Sequence, residues 1–384
     1  MLPIAKRRVT VASDPFVTTS PLRIPGSPAQ RTHGVVDPPP SLAAIASTVE
    51  GRIRTLLDRE LERWTAVDAD LTAPLQALAD LVLSGGKRLR PAFCHWAFVG
   101  AGGDPDDRVL LDVSAGLELL HTFALIHDDV MDASRTRRGA DTVHVQFMDE
   151  HRRQGWRGED RRFGEGVAIL VGDLAFVYAD LLFKDANPTA AALFIEQRIE
   201  VNIGQYLDLI GTVRGRPSVD TAQRICRYKS GKYTIERPLH LGVALADRLS
   251  EFETALTRFG LPLGEAFQLR DDLLGALGDA TLTRKPVGDD LREGKPTALF
   301  ARALDAADGA QHEILARIGD PDLDDAAIAG IQHVLRTTGA ADIIEAQIAA
   351  LRAQAVVAVE QSGLTDDAVD ALVHLAHFVT EREY

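Results

Sequence analysis

Three aspartates and three arginines, two of them adjacent, crowd the segment Asp128-Asp129-Val130-Met131-Asp132 to Arg137-Arg138-Gly139. On a helix, Asp128 and Asp132 fall on one face, about 6 Å apart along the axis, with Asp129 about 100° round from Asp128. Carboxylates this close repel one another. They also close an apolar run that begins at Leu117, so they call for a neutralising cation. Oxygen-only ligands favour a hard cation, and Mg²⁺ takes a carboxylate or two and completes its shell with water and phosphate. The guanidinium forks of Arg137 and Arg138 suit phosphate oxygens. The local chemistry is that of an Mg²⁺-bridged phosphate or diphosphate site. A bare DDxxD also occurs on solvated helix ends; the buried run before it and the RRG after it make this one specific.

Further clusters extend the pattern. Gly85-Gly86 lets the backbone approach a ligand, and Lys87, Arg88 and Arg90 follow at once, a set suited to a polyanion. Glu118 and His121 form an E-x-x-H pair, but a di-iron bundle needs two such helices and the sequence has no second pair. Lys229, Ser230, Lys232 and Thr234 make a basic turn within a helix. Gln268, Asp271 and Asp272 form a second acidic segment, with Gly275 at the position one turn after Asp271. Lys285, Asp289, Asp290 and Lys295 lie in a polar stretch that reads as a loop of solvated charges.

Taken in this order and at these spacings, from about residue 80 to 300, the segments resemble the trans-isoprenyl diphosphate synthases, the polyprenyl synthetase family. The resemblance implies an all-α, isoprenoid synthase-type helical bundle around a deep central cavity, with the two aspartate-rich helices facing each other across its mouth, and a homodimer. Metal ligation falls on Asp128, Asp129, Asp132, Asp271 and Asp272, with three Mg²⁺ ions when substrate is bound. Lys87, Arg88, His121 and Arg138 are implied to hold isopentenyl diphosphate. Arg137, Lys229, Ser230, Gln268, Lys285 and Lys295 are implied to hold an allylic diphosphate (dimethylallyl, geranyl or farnesyl), and catalysis rests on Asp128, Asp132, Lys229 and Asp271. The allylic C–O bond breaks, the isopentenyl double bond attacks the cation, and a proton is lost, with the released diphosphate as base.

The family pattern also implies product length. Phe123 stands five residues before Asp128 and the small Ala124 four before, with Leu120 a further turn down as floor. This points to a C20 product, geranylgeranyl diphosphate, with C15 farnesyl diphosphate as the alternative. A terpene cyclase would have no second diphosphate for GGKRLRP to hold. Gly275 departs from the family's DDxxD. It motivates the rival reading of a catalytically weak regulatory subunit, and the expectation that Gly275→Asp would tighten Mg²⁺.

The elements that must position these groups are helical. The 384 residues are 46% hydrophobic and poor in aromatics, enough for a large α-helical core. A net charge of −14 argues against nucleic acid as a partner. Two cysteines, Cys94 and Cys226, offer no disulfide framework and suit a cytoplasmic setting. Residues 1–40 hold eight of the 18 prolines and read as a disordered extension, leaving 41–384 as one all-helical prenyltransferase domain. Helical spacing begins at Leu42. Residues 151–165 read as a loop, and Val167 to Phe183 as a buried helix carrying Asp173, not a membrane span. Gln205 and Asp208 resemble a family segment that lines the cavity. Beyond Leu299 the sequence offers amphipathic helices and no chemistry.

Overall fold

The computed structural model describes residues 38–215, 218–278, 288–320 and 322–382, and these are almost wholly helical. Helix α1 (Pro40–Thr65) starts with proline in its first turn and buries Leu42, Ile45, Val49, Ile53 and Leu56 along one stripe. Helices α2 (Thr72–Leu83) and α3 (Leu89–Gly100) follow, separated by the Gly85-Gly86 turn. Helix α4 (Arg108–Met131) is the axis of the molecule. Asp107 caps it by accepting from the Val109 and Leu110 amides, and from Leu110 to Leu120 nearly every side chain is buried.

A feature not anticipated from the sequence follows α4. Thr136–Arg137 and Ala140–Asp141 pair as a two-residue antiparallel hairpin. Arg138 (φ +54°) and Gly139 (φ +80°) form its loop, and positive φ at both loop positions is the signature of a tight hairpin turn. The turn pins the two arginines beside the end of α4.

Helices α5 (Val143–Gln154) and α6 (Asp160–Phe183) leave only residues 155–159 outside helix. The loop expected over 151–165 is therefore largely helical, because polar helix ends show no apolar period. Helix α7 (Pro188–Arg214) is capped by Asn187. A short α8 (Val219–Ile225) runs into an eleven-residue π-helical segment, Cys226–Glu236, which continues as α9 (Arg237–Leu245). Helix α10 (Leu249–Leu277) packs against the π-helical segment and against the later helix Ala340–Glu360. Two apolar cores result. The larger surrounds α4; the smaller grips the second half of α10 through Ala266, Leu269 and Leu273 with Leu299, Ile331 and Ile344.

Two helices are long and apolar enough to cross a membrane, α4 and α6. The apolar window of α4 is 67% buried and forms the core; that of α6 is only 44% buried. Its exposed Ile169, Leu170 and Val177 lie on one helix, and Ile195, Ile199 and Ile203 are exposed on α7.

Candidate active site

The end of α4 delivers the Asp128 carboxylate into two adjoining cavities of about 350 and 440 Å³, which share Lys87, Asp128, Lys229, Ser230, Gln268, Asp271 and Arg382 on their walls. Asp128 accepts from Lys229 Nζ at 3.1 Å and from Gln205 Nε2 at 2.8 Å. Lys229 also donates to Asp208 at 2.5 Å. Asp132, one turn on, faces Lys295 Nζ at 3.5 Å, and Lys295 reaches Glu293 at 2.6 Å. Lys295 is thus not a solvated loop charge but a half-buried cation over the acidic helix end.

The backbone brings Lys229 there by close approach. A Cβ on Gly204 would lie 2.6 Å from the Lys229 Cα, and one on Gly264 would lie 2.9 Å from the Gly231 carbonyl carbon. These two glycines let the π-helical segment seat between α7 and α10. A π-helical insertion at such a place rotates the following side chains toward the site.

On α10, Gln268 donates to Asp272 at 2.7 Å. Asp271 is partnered by Arg382, beyond the last helix, whose guanidinium also lies over the Phe267 ring at 4.7 Å. Arg382 lies in the region beyond Leu299 where the sequence offered no candidate, yet it lines both cavities. It lies 111 residues from its partner, and no local motif marks it.

The second half of the site is cationic. Lys87, Arg90, His121, Arg137 and Arg138 line the larger cavity. Arg138 donates to the Ser84 hydroxyl at 3.1 Å and to the Gly85 carbonyl, so the hairpin turn is fastened to the glycine turn. His121 Nδ1 is buried without a partner. Burial, then Arg90 and Arg138, hold the imidazole well below its ordinary pKa, so it is neutral at pH 7.

Comparison with known proteins now decides the family. The polyprenyl synthetase family model matches residues 72–335. The chain belongs to that family. It is 35% identical over 285 residues to a geranylgeranyl diphosphate synthase of Mycobacterium tuberculosis, covering 70% of this chain and 75% of the relative. It is 30% identical over 321 residues to a short chain isoprenyl diphosphate synthase of Methanothermobacter thermautotrophicus, covering 81% and 90%. Its fold superposes with a TM-score of 0.84 on the crystal structure of a Corynebacterium glutamicum geranylgeranyl pyrophosphate synthase complexed with isoprenyl diphosphate and magnesium. That pair is 36% identical, over 89% of this chain and 99% of the other.

Within this polyprenyl synthetase, three expected placements are corrected by geometry. Asp129 is 2% exposed, and both its oxygens are taken by Arg137 at 2.6 to 2.9 Å, so it tethers Arg137 and does not face the cavity as a ligand. Leu120 is fully buried and lies off the cavity wall, while Phe123 and Ala124 are on it. Arg88 lies at the wall but its guanidinium is turned inward, onto Glu118 at 2.7 Å, Glu50 at 2.9 Å and the Val82 carbonyl. Arg90 also lines the cavity, and its guanidinium donates to the Thr234 hydroxyl at 2.9 Å. It stacks over Tyr233 at 4.4 Å, and its Nε is buried without a partner. Lys285 lies outside the described residues, as does the expected extension up to residue 37.

The two arginines are separable by experiment. Arg88→Met would strand Glu118 in the core and should cost about 3–5 kcal/mol of stability in urea unfolding. Arg90→Ala should leave stability near wild type and raise KM for isopentenyl diphosphate at least about tenfold, the scale of one charge-assisted contact. An Arg88 variant of wild-type stability and raised KM would reverse the assignment.

The residues fit Mg²⁺ held jointly with a diphosphate. Among the described residues no group of three or more His, Cys, Asp or Glu is gathered tightly enough to hold a metal on protein ligands alone. Asp128 and Asp271 each present a carboxylate on the shared wall, which suits a cation that uses one or two carboxylates and takes its remaining ligands from substrate. Burial pushes Asp272 up to about 8, with Asp290 and Asp271 adding and Gln268 opposing. The sign follows from linkage. A carboxyl raised above its unfolded value stabilises the fold below about pH 4, and that stability is lost as pH rises toward 8. In EDTA, Asp272→Asn should therefore raise the melting temperature at pH 8, with the gain shrinking steadily toward pH 4. A gain independent of pH would contradict a buried protonated Asp272.

Proposed function

We propose that this protein is an Mg²⁺-dependent prenyltransferase that condenses isopentenyl diphosphate with an allylic diphosphate to a short all-trans prenyl diphosphate, most closely a C20 geranylgeranyl product. The observation that carries this reading is the joining of two differently charged cavities at one wall. Acidic helix ends bridged by Lys229 and Lys295 stand on one side, and a cationic subsite built from Lys87, Arg90, His121 and Arg138 on the other. One ionising site alone would not require the second.

Asp128, Asp132 and Asp271 would hold three Mg²⁺ ions against the allylic diphosphate. Bound Mg²⁺ supplies charge neutralisation on the departing diphosphate. Lys229 and Lys295 are already paired with Asp128 and Asp132, so the chain's own cations stand where negative charge develops as the C–O bond breaks. Ser230 and Gln268 line the same wall, and Asp129 fixes the direction of the Arg137 fork. Lys87, Arg90, Arg138 and the neutral His121 position the second diphosphate, placing its double bond beside the allylic carbon. No side-chain nucleophile is needed.

The unpartnered apolar faces of α6 and α7 support a homodimer, since a second copy would cover them. Two free, buried cysteines support a cytoplasmic setting. The functional test supplies Mg²⁺, labelled isopentenyl diphosphate and each allylic primer in turn, and separates products by length. A dominant C20 product is expected. A dominant C15 product would favour the farnesyl alternative, and no elongation with any primer would reject the reading.

A further inference from the structure

Gly275 stands one helical turn after Asp271, on the face where a carboxylate would complete the second acidic pair as Asp132 completes the first. It lies inside α10, and its backbone is not in the left-handed region that favours glycine. A mid-helix glycine costs roughly 0.5–1 kcal/mol relative to alanine, so it needs another reason. The reason is space. A Cβ built on Gly275 would lie 2.7 Å from Asp290 Cγ and closer still to Oδ2. The Asp290 carboxylate comes from the short helix Asp289–Glu293 and occupies the place of the missing side chain.

We propose that Asp290 supplies, from a separate segment, the second carboxylate that the α10 acidic motif lacks, and that Gly275 is the notch which admits it. The inference rests on the reading of the site as an Mg²⁺–diphosphate centre. Several observations bear on it. Asp290 lines the same cavity as Asp271, Asp272 and Lys295. Its nearest described cation, Lys295 Nζ, is 3.5 Å away and lies closer to Glu293, at 2.6 Å. Asp290 therefore remains able to turn to a metal ion while Lys295 turns to phosphate. The departure at Gly275 becomes a relocation of the carboxylate rather than a loss. The sequence-based expectation that Gly275→Asp tightens Mg²⁺ then fails: a side chain there displaces Asp290, whose obstructing atoms are the end of a short side chain, and its own carboxylate replaces the one displaced.

The test is Mn²⁺ binding, followed by electron paramagnetic resonance in the presence of inorganic diphosphate, with the purified full chain. Asp290→Asn should weaken at least one bound Mn²⁺ about tenfold or more. Gly275→Ala, which adds only a methyl group, should weaken the same ion, and its reading stands even if Asp290→Asn folds poorly. Gly275→Asp combined with Asp290→Ala should recover wild-type binding by returning the carboxylate to α10. Wild-type affinity in both single variants would overturn the role of Asp290 while leaving the metal centre intact. Failure of the wild-type protein to bind Mn²⁺ with diphosphate would overturn the metal centre as well.

Discussion

Asp128→Ala is expected to lower kcat about 10²–10³-fold at saturating Mg²⁺, the scale of losing one electrostatic contact to a developing charge. That is about 2.7–4 kcal/mol of transition-state stabilisation. The structure gives the reason for placing the largest effect here. Asp128 is the one carboxylate of its motif that Lys229 and Gln205 both reach, at 3.1 and 2.8 Å. Burial works to raise its pKa, but Lys229, Lys295 and Arg137 together bring it below the ordinary value. It is therefore ionised and ready for a cation at any pH where the enzyme works. Removing it also leaves Lys229 to Asp208 alone, pulling the lysine back from the substrate side. Asp128→Asn separates the two contributions, since it keeps the shape and removes the charge. A near-normal rate for either variant would contradict the assignment.

Phe123→Ala is expected to shift the main product to longer chains by at least one five-carbon unit, and Ala124→Phe to shorten it. Phe123 and Ala124 both stand on the cavity wall one turn below Asp128, and one turn rises about 5.4 Å, close to one extended isoprene unit. The Phe123 ring is held in place. Its centroid lies 4.6 Å from His127, edge on, and 4.8 Å from Phe176 of α6. Phe176 is a second aromatic that sequence spacing from Asp128 could not reveal, because it comes from another helix. Leu120, fully buried behind the wall, should influence length far less. Product distributions measured at equal turnover check this. Unchanged distributions in both active variants would mean that α4 does not set the length.

What was legible in the sequence was what one helix or one turn could encode. Asp128 and Asp132 share a face by spacing alone; Asp128 lines both cavities, and Asp132 meets Lys295 of the cavity wall. Composition and period pointed to helices throughout, and the family resemblance implied the bundle they form. What escaped was set by distant partners. Arg88 and Arg90 are both cations two residues apart; Glu50 and Glu118, 38 and 30 residues away, decide that Arg88 turns inward. Asp129 could not be told from Asp128 until the hairpin turned Arg137 back onto it. Arg382 and Asp290 reach α10 only through tertiary packing.

The central claim is that two diphosphates are handled together, and reaction stoichiometry tests it most directly. With Mg²⁺, an allylic diphosphate and labelled isopentenyl diphosphate, inorganic diphosphate release and label incorporation should be equal, and each should vanish when either substrate or Mg²⁺ is withheld. Diphosphate released from the allylic substrate without isopentenyl diphosphate being consumed would contradict the account and point to a cyclase or a hydrolase.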